Sequence, residues 1–171
     1  MESNYEDTID VDTTNYAGFG LRLAAWLIDG ILIGVVVGGA MLILGAIGFG
    51  AIGGAGGFED LANNPDEVPP GVIAAMMGAY FGFIGFTMVA AWLYFALMES
   101  SYRQATLGKM AVGIKVTNMD GGKISFLNAT GRYFGKIISG MIMYIGYIMA
   151  AFTEKKQALH DMMASTLVLR K

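Results

Sequence analysis

Apolar positions in this chain come in long unbroken runs, without the alternating or three-to-four-residue rhythm of a soluble domain. No charged residue stands between Asp29 and Glu59, between Glu67 and Glu99, or between Lys136 and Glu154. A bilayer core is crossed by roughly 20 apolar residues in helix, so the first two runs predict full transmembrane helices over 17–46 and 72–100. The third run, "IISGMIMYIGYIMAAFT", is shorter. It predicts a third membrane segment within 128–152, either spanning or re-entrant, with a bend near Gly140 or Gly146.

Between these runs the pattern changes. Residues 47–71 join a glycine-rich stretch to the acidic "FEDLANNPDEVPPG" and predict an external loop, the first helix having already ended. Small residues at four-residue spacing, Gly34/Gly38 and Gly50/Gly54, suit close helix approach, and equally the ordinary glycine enrichment of membrane helices. In the region 101–127, "GIKVTN" and "KISF" flank "MDGG", whose Asp-Gly is a hairpin turn signal. The terminal "STLVLRK" has the same strand composition. A lone hairpin is marginal in water, so the expected form is a small three-stranded sheet. That sheet needs hairpin and tail on one side of the membrane. Residues 1–15 read as an acidic flexible tail, 16–170 as one membrane domain, and 153–171 as its basic C-terminal helix and strand. The expected fold is thus an α-helical membrane protein: two full transmembrane helices, a third membrane segment, and a small cytoplasmic β-hairpin or three-stranded sheet.

Charge sets the orientation. Only 15% of residues are charged and 55% are hydrophobic, against about 25% charged in a typical soluble domain. Basic residues are absent before Arg22 and from the acidic loop, whereas Arg103, Lys109, Lys115, Lys123, Arg132 and Lys136 cluster in the centre. The positive-inside rule places that centre in the cytoplasm and the loop outside. The N-terminus is then cytoplasmic, and because it lacks a basic signal-peptide region, the first helix is expected to be retained. The tail carries Lys155, Lys156, Arg170 and Lys171. It lies outside if the third segment crosses and inside if that segment returns; strand pairing favours inside.

Composition removes several chemistries. There is no cysteine, which excludes disulfides and thiolate ligands, and a single histidine, His160, makes a histidine-rich metal site impossible within one chain. No nucleophile elbow or phosphate loop is present, so no enzyme, no cofactor and no metal are expected. Basic and acidic residues are interspersed, which fits anionic lipid better than nucleic acid. Glu99 reads as a helix-terminal charge and His160 as a packing residue.

Two charges fall inside the first apolar run. Arg22 and Asp29 are seven residues apart, on one helical face and about 10 Å apart along the axis. Arg22 can reach the interface, but a carboxylate deeper in the helix costs roughly 2.5–3.5 kcal/mol. Either Asp29 binds an ion or proton inside a bundle, or it is a buried partner for a basic residue such as Lys109, Arg103 or Arg132.

Taken in order, these residues resemble the RDD family of bacterial membrane proteins. Arg22, Asp29 and Asp161 match its arginine and two aspartates. Between them, Glu99, Thr106, Gly108, Lys109, Gly113, Val116, Asp120, Gly121 and Arg132 match its connecting region, and the likeness covers roughly residues 16 to 170. The glycine-rich extension and the short third segment depart from the pattern. The resemblance implies a multi-pass protein of the bacterial cytoplasmic membrane. It also implies an ion/proton or structural charge cluster of Arg22, Asp29, Asp161, Glu99, Lys109 and Arg132. Arg22 is expected near Asp161, and Asp29 near Lys109 or a polar residue of the second or third helix. Family activity is poorly defined: transport of an unidentified ligand by an oligomer, as in sodium/proton antiporters, is one expectation. A non-enzymatic scaffold or accessory subunit of a larger membrane complex is the other. The partners implied are the lipid bilayer and either further copies of the chain or another membrane protein.

Overall fold

A computed structural model describes residues 15–54, 56, 59, 62–64, 70–142 and 145–171. Residues 1–14 of the expected acidic tail, and much of the expected external loop, lie outside the described residues. Helix α1 runs from Phe19 to Gly54 and α2 from Pro70 to Ser100. A short α3 (Leu107–Ala111) leads into strand β1 (Ile114–Asn118), and α4 (Phe126–Met141) follows. A single turn α5 (Ile145–Ile148), a 3-10 turn at Met149–Ala151, α6 (Leu159–Met163) and strand β2 (Thr166–Arg170) complete the chain.

Among the described residues two helices are long and apolar enough to cross a membrane, Phe19–Gly50 and Pro70–Ser100. Helix α1 does not stop near residue 46 as its glycines suggest. Each interior glycine costs about 1 kcal/mol against alanine in water. In hydrocarbon, however, an unwound backbone finds no water to bond, so the helix is the cheaper state. A third crossing would require α4 and the α5–3-10 piece to act as one span, and these are bent 116° apart. The expected bend is present, between Gly140 and Gly146.

The sheet differs from expectation. It has two strands, and β1 pairs antiparallel with β2, Val116 opposite Val168. The 114–126 hairpin does not form. A turn does follow β1, with Gly121 at φ 79° and the Asn118 amide donating to the Gly122 carbonyl at 2.9 Å. It hands the chain to a helix, because Ser125 caps α4 by accepting the Asn128 amide at 3.1 Å. "KISF" is too short for its alternation to outweigh that cap. Tyr16 adds one isolated bridge to Leu169 at the sheet edge.

The chain divides into two compact units. The first comprises residues up to Asp29 and from Trp92 onward; the second is Gly30–Ala91. In the first, Ala25 of α1, Ala96 of α2 and Ala129 of α4 join Ile114, Val116 and Val168 in one buried core. Three alanines let helix backbones approach closely. In the second unit, large apolar side chains such as Val35, Leu42, Met76 and Phe86 are exposed, as lipid-facing residues should be. An added Cβ at Gly34 or Gly38 would meet no heavy atom within 4 Å.

Candidate functional site

Buried charge concentrates in the first unit. Helix α4 is amphipathic and turns Ala129, Arg132, Gly135 and Ser139 inward, at the three- and four-residue spacing of one face. Arg132, fully buried, stands at the centre. Its Nε meets Glu99 Oε2 of α2 at 3.0 Å, and its Nη1 meets both Asp161 Oδ1 of α6 at 2.8 Å and the Thr166 hydroxyl of β2 at 2.6 Å. One guanidinium therefore ties four elements, as its planar fork of donors allows.

Glu99 takes two more cations on its other oxygen, Lys109 at 2.7 Å and Lys136 at 3.0 Å. Lys136 lies one helical turn after Arg132, and its ammonium also stands 4.5 Å from the Phe95 ring centroid. Arg22 pairs with Asp161, donates through Nη2 to the Lys156 carbonyl at 2.7 Å, and donates through Nε to the Ala17 carbonyl at 3.0 Å. Lys156 adopts a left-handed backbone, φ 47°, and its carbonyl takes that bond from Arg22. Asp161 also accepts the Ala158 amide at 3.1 Å, closing the first turn of α6.

The electrostatics follow from this packing. Burial alone would raise the Asp161 carboxyl, but Arg132 and Arg22 outweigh it and hold it well below the usual carboxylate range. Burial pulls the Lys109 ammonium down to about 7; Glu99 opposes this, while Lys136 and Arg132 add to it. Burial pushes His160 down to about 3, with Asp161 opposing only in part. His160 is thus a neutral packing residue near pH 7, beside the Tyr147 ring and near Ser139.

Asp29 stands apart from this network. Its carboxylate accepts the Tyr94 hydroxyl at 2.9 Å, the Thr106 hydroxyl at 2.6 Å and the Gly108 amide at 2.7 Å. Among the described residues no cation pairs with it. Thr106 is the N-cap of α3, so the segment that follows α2 folds back onto α1 through this one carboxylate. The fit is close: a Cβ at Gly108 would lie 2.8 Å from Asp29 Cγ and collide with the Ala25 carbonyl.

All six residues singled out in the sequence, Arg22, Asp29, Glu99, Lys109, Arg132 and Asp161, thus lie in this one unit. Lys109 serves Glu99, not Asp29. Of the candidate partners for Asp29, a polar residue of the second helix, Tyr94, is one. Arg103 has no part: its Nη1 lies 3.8 Å from Met110 Sδ. Sequence reasoning missed Tyr94, Thr106, Gly108, Lys136 and Thr166 as members. For Lys136 the signal was its place one turn after Arg132 on α4. A cavity of about 490 Å³ opens beside the cluster, with Asp29, Arg22, Lys109, Arg132, Lys136 and His160 in its wall.

Comparison with known proteins shows the family of this chain. The Bacillus subtilis (strain 168) protein YxaI, itself uncharacterized, is 38% identical over 156 residues, 91% of this chain and 97% of that protein. The uncharacterized membrane protein YteJ of the same organism is 38% identical over 89 residues, 48% of this chain and 50% of its own. YckC, also uncharacterized and from that organism, is 29% identical over 91 residues, 48% of this chain and 58% of its own. No solved structure matches. The RDD family model matches residues 16–165, nearly the whole described chain and every member of the charge cluster, and the protein belongs to the RDD family.

Proposed function

We propose that this RDD protein is a multi-pass protein of the bacterial cytoplasmic membrane that carries out ion- or proton-coupled exchange as an oligomer. Asp29 is its ion-binding carboxylate. One observation carries this reading. Asp29 sits in a helix apolar enough to cross a membrane, borders a cavity and is held by neutral donors, and among the described residues no cation pairs with it. A carboxylate so placed is a candidate ligand for a cation or proton, and intramembrane carboxylates commonly mark ion paths. Two or three membrane segments are too few to enclose a path, so protomers share it; the open glycine faces of α1 suit such packing.

The proposal includes a topology. Strands β1 and β2 are hydrogen-bonded neighbours, about 4.8 Å apart, and a bilayer core is about 30 Å thick. The intervening segment must leave and return on one face, so the α4–α5 piece is re-entrant. Basic residues place that face in the cytoplasm.

The test is cation-driven proton flux in vesicles reconstituted with the full chain. Asp29→Asn should abolish flux while gel filtration and melting temperature stay near those of the wild type; unchanged flux rules out Asp29 as the carrier. A scaffold role is the second reading, favoured by the way Asp29 clamps α3 onto α1. In that case Asp29→Asn lowers the yield of folded protein, and pull-down from native membranes recovers a stoichiometric partner.

A further inference from the structure

The cavity beside the charge cluster has walls of two kinds. Arg22, Lys109 and Lys136 keep 14%, 11% and 19% of their side chains accessible, whereas Asp161 and Glu99 keep 0% and 1%. These three cations line the cavity and keep some accessible surface, whereas the two carboxylates that pair with them have almost none. Asp29 also borders the space, its oxygens accepting hydrogen bonds from Tyr94, Thr106 and Gly108. Near pH 7 Arg22, Arg132 and Lys136 match the three carboxylates Glu99, Asp161 and Asp29, and Lys109, whose ammonium is pulled down to about 7, adds a partial positive surplus. His160 adds no charge near neutral pH. A low-dielectric site with surplus positive charge is costly unless an anion joins it.

The rim is apolar. Leu23 and Trp26 of α1, Ile137 of α4 and Ile148 of α5 line the cavity and are exposed. Leu23 and Trp26 lie on a helix apolar enough to cross a membrane, so this rim meets acyl chains and headgroups before it meets bulk water. Trp26 is the kind of amphipathic ring that settles at that boundary. A volume of about 490 Å³ is in the range of small-molecule pockets, roughly 300–1,000 Å³. It admits a headgroup and the start of a chain.

We propose that this cavity binds the phosphate headgroup of an anionic membrane lipid, the phosphate oxygens on Arg22, Lys109 and Lys136 and the chains along Leu23, Trp26 and Ile137. Phosphate offers several oxygens to cations that converge from α1, α3 and α4, and basic pockets between membrane helices on the cytoplasmic side take such headgroups. The site does not depend on the exchange reading; a protein that moves no ion could still hold this lipid.

The test uses the purified full chain in neutral detergent, with native mass spectrometry to count bound lipid. Phosphatidylglycerol should be retained as a single molecule per chain in preference to phosphatidylcholine of identical chains. Lys136→Gln should weaken that retention about fivefold, and Lys123→Gln, an exposed lysine outside the cavity, should leave it unchanged. Trp26→Ala touches none of the ion pairs and should weaken retention as well, which guards against misfolding of the Lys136 variant. Equal retention of the two lipids, or equal loss in the Lys136 and Lys123 variants, overturns the proposal in favour of unspecific surface attraction. Displacement of the lipid by millimolar inorganic phosphate overturns it in favour of a soluble anion.

Discussion

At the scale of single residues, Arg132 is the one whose loss should be felt most. It is fully buried and bonds Glu99, Asp161 and Thr166 together. Removing it strands parts of two buried carboxylates at once, and breaking a buried pair from one side typically costs about 3–5 kcal/mol. Arg132→Gln is therefore expected to lose stability on that order in detergent unfolding. Arg22→Gln should lose less, because Asp161 keeps Arg132 at 2.8 Å and the Ala158 amide at 3.1 Å. An equal loss in the two variants would mean that Arg132 is not the hub. Lysine cannot stand in for it, since a point charge cannot bond Glu99 and Asp161 in two directions at once.

At the scale of elements, α3 approaches α1 closely at Gly108, and glycine makes the approach possible. Gly108→Ala forces a methyl group into the Ala25 carbonyl and to 2.8 Å from Asp29 Cγ, whereas Gly131→Ala on α4 meets nothing within 4 Å. The first should cost about 1–3 kcal/mol by overpacking; the second should be neutral or gain up to about 1 kcal/mol from helix propensity. Thermal melts of the two variants check the contrast. The elements were unevenly legible. Helices α1 and α2 announce themselves because hydrocarbon demands a length that few soluble sequences reach. β2 was recognisable by composition, but its partner was not, since "KISF" sits nearer to "GIKVTN" and four residues cannot separate strand from the first turn of a capped helix. Within the cluster, Arg22 and Asp161 could be linked across 139 positions only through the ordered resemblance of the whole chain. A polar residue of the second helix was expected beside Asp29, and Tyr94 is one, but the pattern did not single it out, and Thr106 entered only as part of the matched connecting region.

At the scale of the molecule, the pairing of β1 with β2 constrains how the whole chain threads a bilayer. Helices α1 and α2 together return the chain to the face from which it started if both cross, and β1 follows on that face. On the topology proposed above, β2, bonded to β1 along five residue pairs, keeps the C-terminus on that face, and the segment between them makes no net crossing. Charge agrees, because Lys155, Lys156, Arg170 and Lys171 would otherwise violate the positive-inside rule. The chain contains no cysteine, so single introduced cysteines report position without a background. Lys115→Cys and Lys171→Cys should both react with a membrane-impermeant maleimide only in inverted vesicles, and Asn63→Cys only in intact cells. Reaction of Lys171→Cys in intact cells, with Lys115→Cys protected there, would require α4 and α5 to cross as one span. It would also pull β2 away from β1 and take Thr166, its first residue, and Asp161, five residues before it, off Arg132. The side on which one terminal residue is labelled thus tests the sheet, the re-entrant segment and the charge cluster together.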